Sequence, residues 1–195
     1  KIIAFSSNRS GSTAVYTVPV EGGTPTRLTW YPSAANVRGW TPDGNRILYK
    51  SERGTAPSGY GRLWTVSKDG GPSTLLAKQW GNDGSFAPNG NKMVIDRISR
   101  WDVEWRTYSG GENTPLVILN LKDFSEELLP NENTTDIQPL WLGDKIYFLS
   151  DRDFVANIWS YDTKSKELVQ LTSLEGSDVK WLDGRGELLI FEHEG

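Results

Sequence analysis

The 195-residue sequence contains no cysteine, one histidine and one methionine. Without cysteine the chain can form neither a disulfide nor a thiolate zinc site, so the sequence does not indicate a redox compartment. Hydrophobic residues make up only 36% of the chain, and no apolar run approaches the roughly 18 residues of a membrane-spanning helix. The formal net charge of −4 leaves no basic excess to neutralise nucleic-acid phosphates. The sequence therefore predicts no membrane and no nucleic-acid partner.

The scarcity of histidine also limits the chemistry that the chain can perform. His193 lies near the C-terminal end, whereas the base of a Ser–His–acid triad must be held rigidly. The sequence contains no Gly-x-Ser-x-Gly nucleophile elbow and no His-Glu-x-x-His metal motif. We therefore expect no catalytic residue, no metal site and no cofactor in this chain.

The most informative feature present is a repeated phrase that is rich in tryptophan and glycine. Residues 40–54 read WTPDGNRILYKSERG, and shorter versions return at 86–95, 141–152 and 181–191. The first apolar residues after the successive turns, Ile47, Met93, Ile146 and Leu189, lie 46, 53 and 43 residues apart. Repeats of about 40–50 residues made of short strands are typical of β-propeller blades.

Each repeat divides into four short strands, and no stretch shows a helical period. We expect an all-β chain that forms a single partial β-propeller of about four blades, each a four-stranded antiparallel sheet. The expected repeats cover residues 2–46, 47–92, 93–145 and 146–188, with a further blade starting at 189–195. Large aromatic side chains fill the gap between packed sheets, so five tryptophans are core candidates: Trp40, Trp64, Trp141, Trp159 and Trp181.

A polar residue followed by arginine recurs where a strand ends. Asp151-Arg152-Asp153 offers two carboxylates, too few for a calcium site, which needs six or more oxygen ligands. The phrases at 7–10 and 51–54 occupy the same place in other repeats. A repeated arginine at a strand end favours a structural role, in which it ties the turn to a neighbouring strand by charge-assisted hydrogen bonds.

Several phrases carry a family resemblance. Residues 42–49, 69–71 and 158–161 resemble the TolB-type, WD-like propeller repeat. Residues 105–111, WRTYSGG, lead into LVILN at 116–120, and residues 141–153 run on to NIWSYD at 157–162. Together these longer phrases resemble the N-terminal propeller of tricorn-like serine peptidases.

The resemblance implies an open arc of a six-bladed propeller that is followed in the family by a second propeller, a PDZ-like domain and a serine-peptidase domain. The catalytic groups would then lie beyond residue 195. It implies that this chain by itself is not an enzyme and acts as a scaffold, docking surface or peptide channel of a hydrolase. One alternative stays open: a TolB-like protein-interaction module without a peptidase. A propeller hydrolase or lyase acting on sugars would need carboxylates from separate blades that converge at the central funnel, and the strand starts expected there, at residues 37–38, 85, 138–139 and 179, offer no such pair.

The loop at residues 97–111 is the best binding candidate, because it departs from the blade spacing and combines arginine with aromatic residues, as interface hot spots do. The resemblance adds Lys92, which follows a blade turn where the archaeal family member carries a basic pair linked to peptide termini. The candidate binding residues are therefore Arg97, Arg100, Trp101, Trp105, Arg106, Tyr108 and Lys92. The loop suits interdomain docking better than substrate binding.

The expected partners are the remaining domains of a parent protein, or a protein or peptide partner. Open blade edges also allow association through exposed strands. The resemblance to bacterial family members suggests a periplasmic or extracellular protein, with a cytoplasmic location as the alternative.

Overall fold

The fold is described from a computed structural model of the chain. The structure describes residues 1–57, 59–98, 108, 110–111 and 113–194. Across these ranges every regular element is a β-strand and no helix occurs. No stretch within them is a helix long and apolar enough to cross a membrane.

The chain divides into two compact units, Lys1–Asn82 and Asp83–Gly195. The first unit holds one three-stranded and one four-stranded antiparallel sheet, in the orders β1-β2-β3 and β4-β5-β6-β7. Its strands are β1 (Ile2–Ser7), β2 (Ala14–Pro19), β3 (Thr26–Arg27), β4 (Ala35–Trp40), β5 (Arg46–Ser51), β6 (Arg62–Ser67) and β7 (Thr74–Leu75).

The second unit holds two four-stranded sheets, β8-β9-β10-β11 and β12-β13-β14-β15, and one two-stranded sheet, β16-β17. Its strands are β8 (Asp83–Phe86), β9 (Lys92–Asp96), β10 (Val117–Asn120), β11 (Glu126–Leu128), β12 (Asp136–Leu142), β13 (Lys145–Ser150), β14 (Asn157–Asp162), β15 (Leu168–Gln170), β16 (Lys180–Arg185) and β17 (Leu188–Glu192).

Each sheet is an antiparallel meander in which neighbouring strands follow one another in sequence. A four-stranded sheet begins with the strand that precedes the repeated turn, so the sheets are offset by one strand from the repeats marked on the sequence. The turn after β4 shows why the chain reverses there: the Thr41 hydroxyl donates to Asp43 at 2.5 Å, and Gly44 adopts a φ of +67°. These sheets confirm the all-β, partial β-propeller fold.

Each unit has its own aromatic and aliphatic core. In the first unit Ile47 and Tyr49 of β5 and Trp64 of β6 pack against Val15 of β2. In the second unit Ile146, Phe148 and Trp141 form the equivalent cluster with residues of the sheet that contains β9 and β10. Trp40 and Trp159 pack half-buried against these clusters. Four of the five predicted core tryptophans therefore lie where the repeat predicts them.

The prediction for Trp181 is wrong. Its side chain is 69% exposed, and the tight turn that follows it lies at Gly186 rather than at residues 183–184. In the β16–β17 register Gly184 pairs with Leu189, as Trp141 pairs with Ile146 in the preceding sheet. Trp181 thus corresponds to Gln138, and both residues have a φ of +52° at a β-bulge.

Candidate functional site

The predicted binding loop lies mostly outside the described residues. Arg100, Trp101, Trp105 and Arg106 fall in the range 99–107, for which no placement is described, so their role stays a prediction. Arg97, Tyr108 and Lys92 are described. The candidate site is therefore built from the strands and loops that flank this segment.

Lys92 and Arg97 occupy opposite ends of one strand. Lys92 is the exposed first residue of β9, and Arg97 directly follows the last one. At about 3.3 Å per residue their backbones lie about 16 Å apart, so the strand does not bring the two cations together. Arg97 forms an ion pair with Glu126 of β11, while its Nε is buried and has no acceptor among the described residues.

Tyr108 lies at the start of a polar segment that is tied to the loop before β12. Its ring fills the space that a Cβ on Gly110 would need. The Asn113 side chain donates to the Tyr108 carbonyl oxygen and, at 3.0 Å, to the Asn133 carbonyl oxygen. The Thr135 hydroxyl donates to Asn113 Oδ1 at 3.2 Å. The end of the predicted loop is thus anchored to its own unit.

A buried ion pair lies beside this segment. Arg152 Nη2 donates to both carboxylate oxygens of Asp136 at 2.9 and 3.1 Å, and Arg152 Nε donates to Ser150 Oγ at 2.9 Å. Asn131 Nδ2 adds a 2.8 Å bond to the same carboxylate, whose side chain is fully buried. The predicted structural role of Arg152 is confirmed, because the pair ties the end of β13 to the neighbouring strand β12.

Sequence reasoning identified Arg152 but missed its partner Asp136. The available signal was positional: Asp136 opens β12 and lies directly opposite Ser150 in the register. Asp151 is also structural, since its Oδ1 accepts the Thr135 backbone N–H at 2.8 Å. Among the described residues no three histidine or acidic side chains come together in a way that could hold a metal ion.

The Ser-x-Arg phrase is repeated in three sheets with the same local geometry. In each, the arginine backbone N–H donates to the serine Oγ two residues earlier, at 3.3 Å for Arg9 and Arg53 and 3.4 Å for Arg152. Each guanidinium also lies over an aromatic ring of the next strand, at 5.1 Å for Tyr16, 4.6 Å for Trp64 and 5.0 Å for Trp159. This arrangement is a cation–π contact.

One serine lies close to the only histidine. Ser177 Oγ is 3.2 Å from His193 Nε2, a pairing that the sequence did not suggest because the two residues belong to no motif. Within the described part of the chain, no carboxylate forms a hydrogen bond or ion pair with the His193 ring. The pair therefore lacks the acid that orients the base in a triad.

The fold and these contacts define a partial β-propeller in which a recurring Ser-x-Arg phrase ties strand ends to neighbouring strands. The comparison with protein families goes further: the model of the tricorn protease N-terminal beta propeller domain matches residues 1–195. The chain belongs to this family.

The curated relatives agree with that assignment. The chain is 31% identical to tricorn protease homolog 1 of Streptomyces coelicolor, over 99% of this chain and 18% of that protein. It is 27% identical to the tricorn protease of Thermoplasma acidophilum, over 90% of this chain and 17% of that protein. The chain thus spans about a fifth of the length of these relatives.

Solved structures show the same fold. The crystal structure of the tricorn protease matches 97% of this chain and 19% of its own, with a TM-score of 0.79 and 23% identity. TolB from Acinetobacter baumannii matches 91% of this chain and 43% of its own, with a TM-score of 0.68 and 18% identity. At these identities the likeness establishes the fold alone.

Proposed function

We propose that the chain is a non-catalytic propeller portion of a tricorn-like serine peptidase and serves as a scaffold and docking surface for the other domains of that parent protein. The observation that carries the proposal is the apolar surface of the β16–β17 sheet. Trp181, Leu188 and Ile190 are 69%, 74% and 65% exposed. Several large apolar side chains exposed on one two-stranded sheet are typical of an interaction surface.

The proposed absence of catalysis rests on the site chemistry. The Ser177–His193 pair has no orienting acid among the described residues, and a nucleophile without an oriented base is weakly activated. The peptidase activity would therefore reside in domains of the parent other than this propeller. A passage for peptides through the propeller is compatible with the same scaffold role.

The docking role is tested by amide hydrogen exchange of β16–β17 in this chain and in the whole parent protein. Docking should cover the sheet and slow its exchange in the parent by at least about tenfold, which corresponds to about 1.4 kcal/mol of added local stability. Exchange in β5 and β6, which are already buried in their own core, is the internal reference. Equal exchange of β16–β17 in both proteins would refute the docking role.

Catalysis by the chain itself is tested by incubating it with a diverse peptide mixture and following cleavage by mass spectrometry. We expect no cleavage. Cleavage that survives repurification and disappears in both Ser177→Ala and His193→Ala would overturn the non-catalytic proposal. Cleavage that persists in both variants would indicate a contaminating peptidase.

The TolB-like module without a peptidase remains the second candidate, since TolB structures share the fold. The family match and the tricorn protease relatives favour the first. We also propose a periplasmic or extracellular location for the parent, which cell fractionation would test; recovery in the cytoplasm alone would refute it.

A further inference from the structure

The repeat reveals an imbalance of charge between two equivalent rows of side chains. In the second unit Asp136, Ser150 and Asn157 lie side by side across β12, β13 and β14. In the first unit the same row across β4, β5 and β6 is Ala35, Ser51 and Arg62. At matching positions the first unit therefore has alanine where the second has aspartate, and arginine where the second has asparagine.

The arginine that follows each row is present in both units. Arg152 uses Asp136 as its counter-ion, with Nη2 2.9 Å from the carboxylate. In the first unit Ala35 holds the position of the acid, and Arg53, the equivalent of Arg152, forms no ion pair in the described part of the chain. Among the described residues, neither Nη1 of Arg53 nor Nε of Arg62 has an acceptor, and both atoms are buried. A buried charged donor without an acceptor is energetically unfavourable.

The groups around Arg53 do not neutralise it. Its guanidinium lies between two rings, 3.2 Å from the centroid of Tyr31 and 4.6 Å from that of Trp64. The neighbouring Tyr49 hydroxyl is uncharged at neutral pH, and burial raises its pKa further above the ordinary value. The Glu52 carboxylate accepts the Gly59 backbone N–H at 3.1 Å instead.

The aromatic contacts themselves are not the distinguishing feature. Nε1 of Trp64 is buried without an acceptor, but so is Nε1 of the equivalent Trp159. Within the two rows, the units differ at the acid, where Ala35 replaces Asp136, and at the position where Arg62 replaces Asn157. Both Arg53 and Arg62 are half-buried as residues, and Arg62 Nη1 donates to the Gly54 carbonyl oxygen at 3.2 Å.

We propose that Arg53 and Arg62 form a carboxylate-binding site in the first unit, in which a carboxylate from outside the chain supplies the counter-ion that Asp136 supplies to Arg152. Two guanidinium groups present planar, charge-assisted donors that match carboxylate geometry. Tyr31, which is 45% exposed and stacked on Arg53, would flank the bound group. No residue of this site belongs to the β16–β17 sheet, so the site is independent of the docking role.

The experiment is an acetate titration of the isotope-labelled full chain, in which NMR follows the Arg53 and Arg62 Nε–H and the Trp64 indole N–H signals. We expect saturable shifts of these signals. The Arg152 signal should change little, because Arg152 already pairs with the Asp136 carboxylate. Acetamide, which matches acetate in size but has no charge, should cause no saturable shift. Shifts of equal affinity with acetamide or with chloride would overturn the carboxylate assignment.

The decisive variant is Ala35→Asp, which supplies the carboxylate from within the chain. We expect acetate affinity to fall at least tenfold and the melting temperature to rise above that of Ala35→Asn, which matches the shape without the charge. Undiminished acetate binding to Ala35→Asp would overturn the proposal. Arg53→Lys should also weaken binding at least tenfold, and an unchanged circular dichroism spectrum would confirm that this variant is folded.

Two peptides distinguish the possible sources of the carboxylate. Both have amidated C-termini, and they differ only in a central Glu or Gln. Shifts caused by the Glu peptide and not by the Gln peptide would assign the site to acidic side chains of a protein segment. Shifts caused by acetate but by neither peptide would assign it to small free carboxylates. If neither acetate nor the Glu peptide causes saturable shifts, the proposed site does not exist.

Discussion

At the scale of single residues, the most deeply buried ion pair among the described residues is that of Asp136 and Arg152. The Asp136 side chain is fully buried, and that of Arg152 is 11% exposed. Removing one partner of such a pair leaves the other charge buried and unpaired, which costs more than the pair contributes to stability.

We therefore predict that Arg152→Met lowers the free energy of unfolding by about 3–5 kcal/mol. Arg9→Met is the matched control, because Arg9 holds the same repeat position but is exposed, donates to Ser7 and lies over two rings, with no ion pair in the described part of the chain. Its loss should cost about 1 kcal/mol or less. Urea unfolding of both variants measures the difference, and equal losses would contradict a special role for the buried pair.

A second residue-scale prediction concerns Asp43 in the turn after β4. Hydrogen bonds from the Thr41 hydroxyl at 2.5 Å and from Asn45 lower the pKa of its carboxyl group. Because the folded-state pKa lies below the unfolded one, the stabilisation is fully present above the unfolded pKa of about 3.9. It is lost as the pH falls through the folded-state value.

The replacement Thr41→Val should raise the Asp43 pKa toward its ordinary value, since it removes the largest cause of the shift. The carboxyl carbon chemical shift, followed by NMR against pH, measures this directly. Thr55→Val is the control, because the Thr55 hydroxyl donates to the Glu52 carbonyl oxygen and does not touch Asp43. An Asp43 pKa that is the same in both variants would contradict the assigned cause.

At the scale of strands and sheets, the sequence predicts most of the structure because short strands and tight turns are local features. Turn residues such as Asp43 and Gly44 and alternating apolar residues mark the strands directly. Trp181 shows where this fails. The phrase that begins at Trp181 resembles the one that begins at Trp141, but in the strand pairing it is Gly184, three residues later, that takes the place of Trp141. The pairing register depends on contacts between strands, which cannot be predicted from the sequence of one strand alone.

The glycine that holds the Trp141 position in the last hairpin provides an element-scale prediction. A Cβ at Gly184 would lie 2.4 Å from the Leu188 carbonyl oxygen, too close for any rotation to relieve. Gly184→Ala should therefore shift the β16–β17 pairing at a cost of about 1–3 kcal/mol. Amide exchange in these strands should accelerate by about tenfold or more.

Gly39→Ala is the control for that substitution. Gly39 lies in β4, has no atom within 4 Å of the added Cβ and does not adopt the left-handed conformation. We expect the amide exchange rates in β4 and β5 to stay within about twofold of those in the original chain. A substitution that meets no neighbouring atom changes the stability by at most about 0.5 kcal/mol. Equal effects of the two substitutions would show that the close approach at Gly184 does not constrain the hairpin.

At the scale of the whole molecule, the candidate sites were harder to predict than the fold. The loop at 97–111 was singled out by composition, yet the charge imbalance at Arg53 and Arg62 became visible only from the register of two sheets. A missing acid is not a sequence motif. It is a difference between equivalent positions, and equivalence follows from pairing that the turns alone do not define.

The exposed β16–β17 surface gives the prediction that concerns the whole chain. In the absence of other domains, its apolar side chains should drive self-association, because burying a large apolar side chain contributes about 1.5–3 kcal/mol. Sedimentation velocity should show a mass that rises with concentration. The double variant Trp181→Ser, Ile190→Thr should weaken this association by at least tenfold, since each tenfold corresponds to about 1.4 kcal/mol.

Leu128→Thr is the matched control, because Leu128 of β11 is also exposed, at 57%, but lies outside the β16–β17 sheet. It should leave the concentration dependence unchanged, while both variants keep the circular dichroism spectrum of the original chain. A chain that is monomeric at every concentration would contradict the prediction. Equal weakening by Leu128→Thr would assign the association to apolar exposure in general, because only an effect confined to Trp181 and Ile190 identifies this sheet as the contact surface.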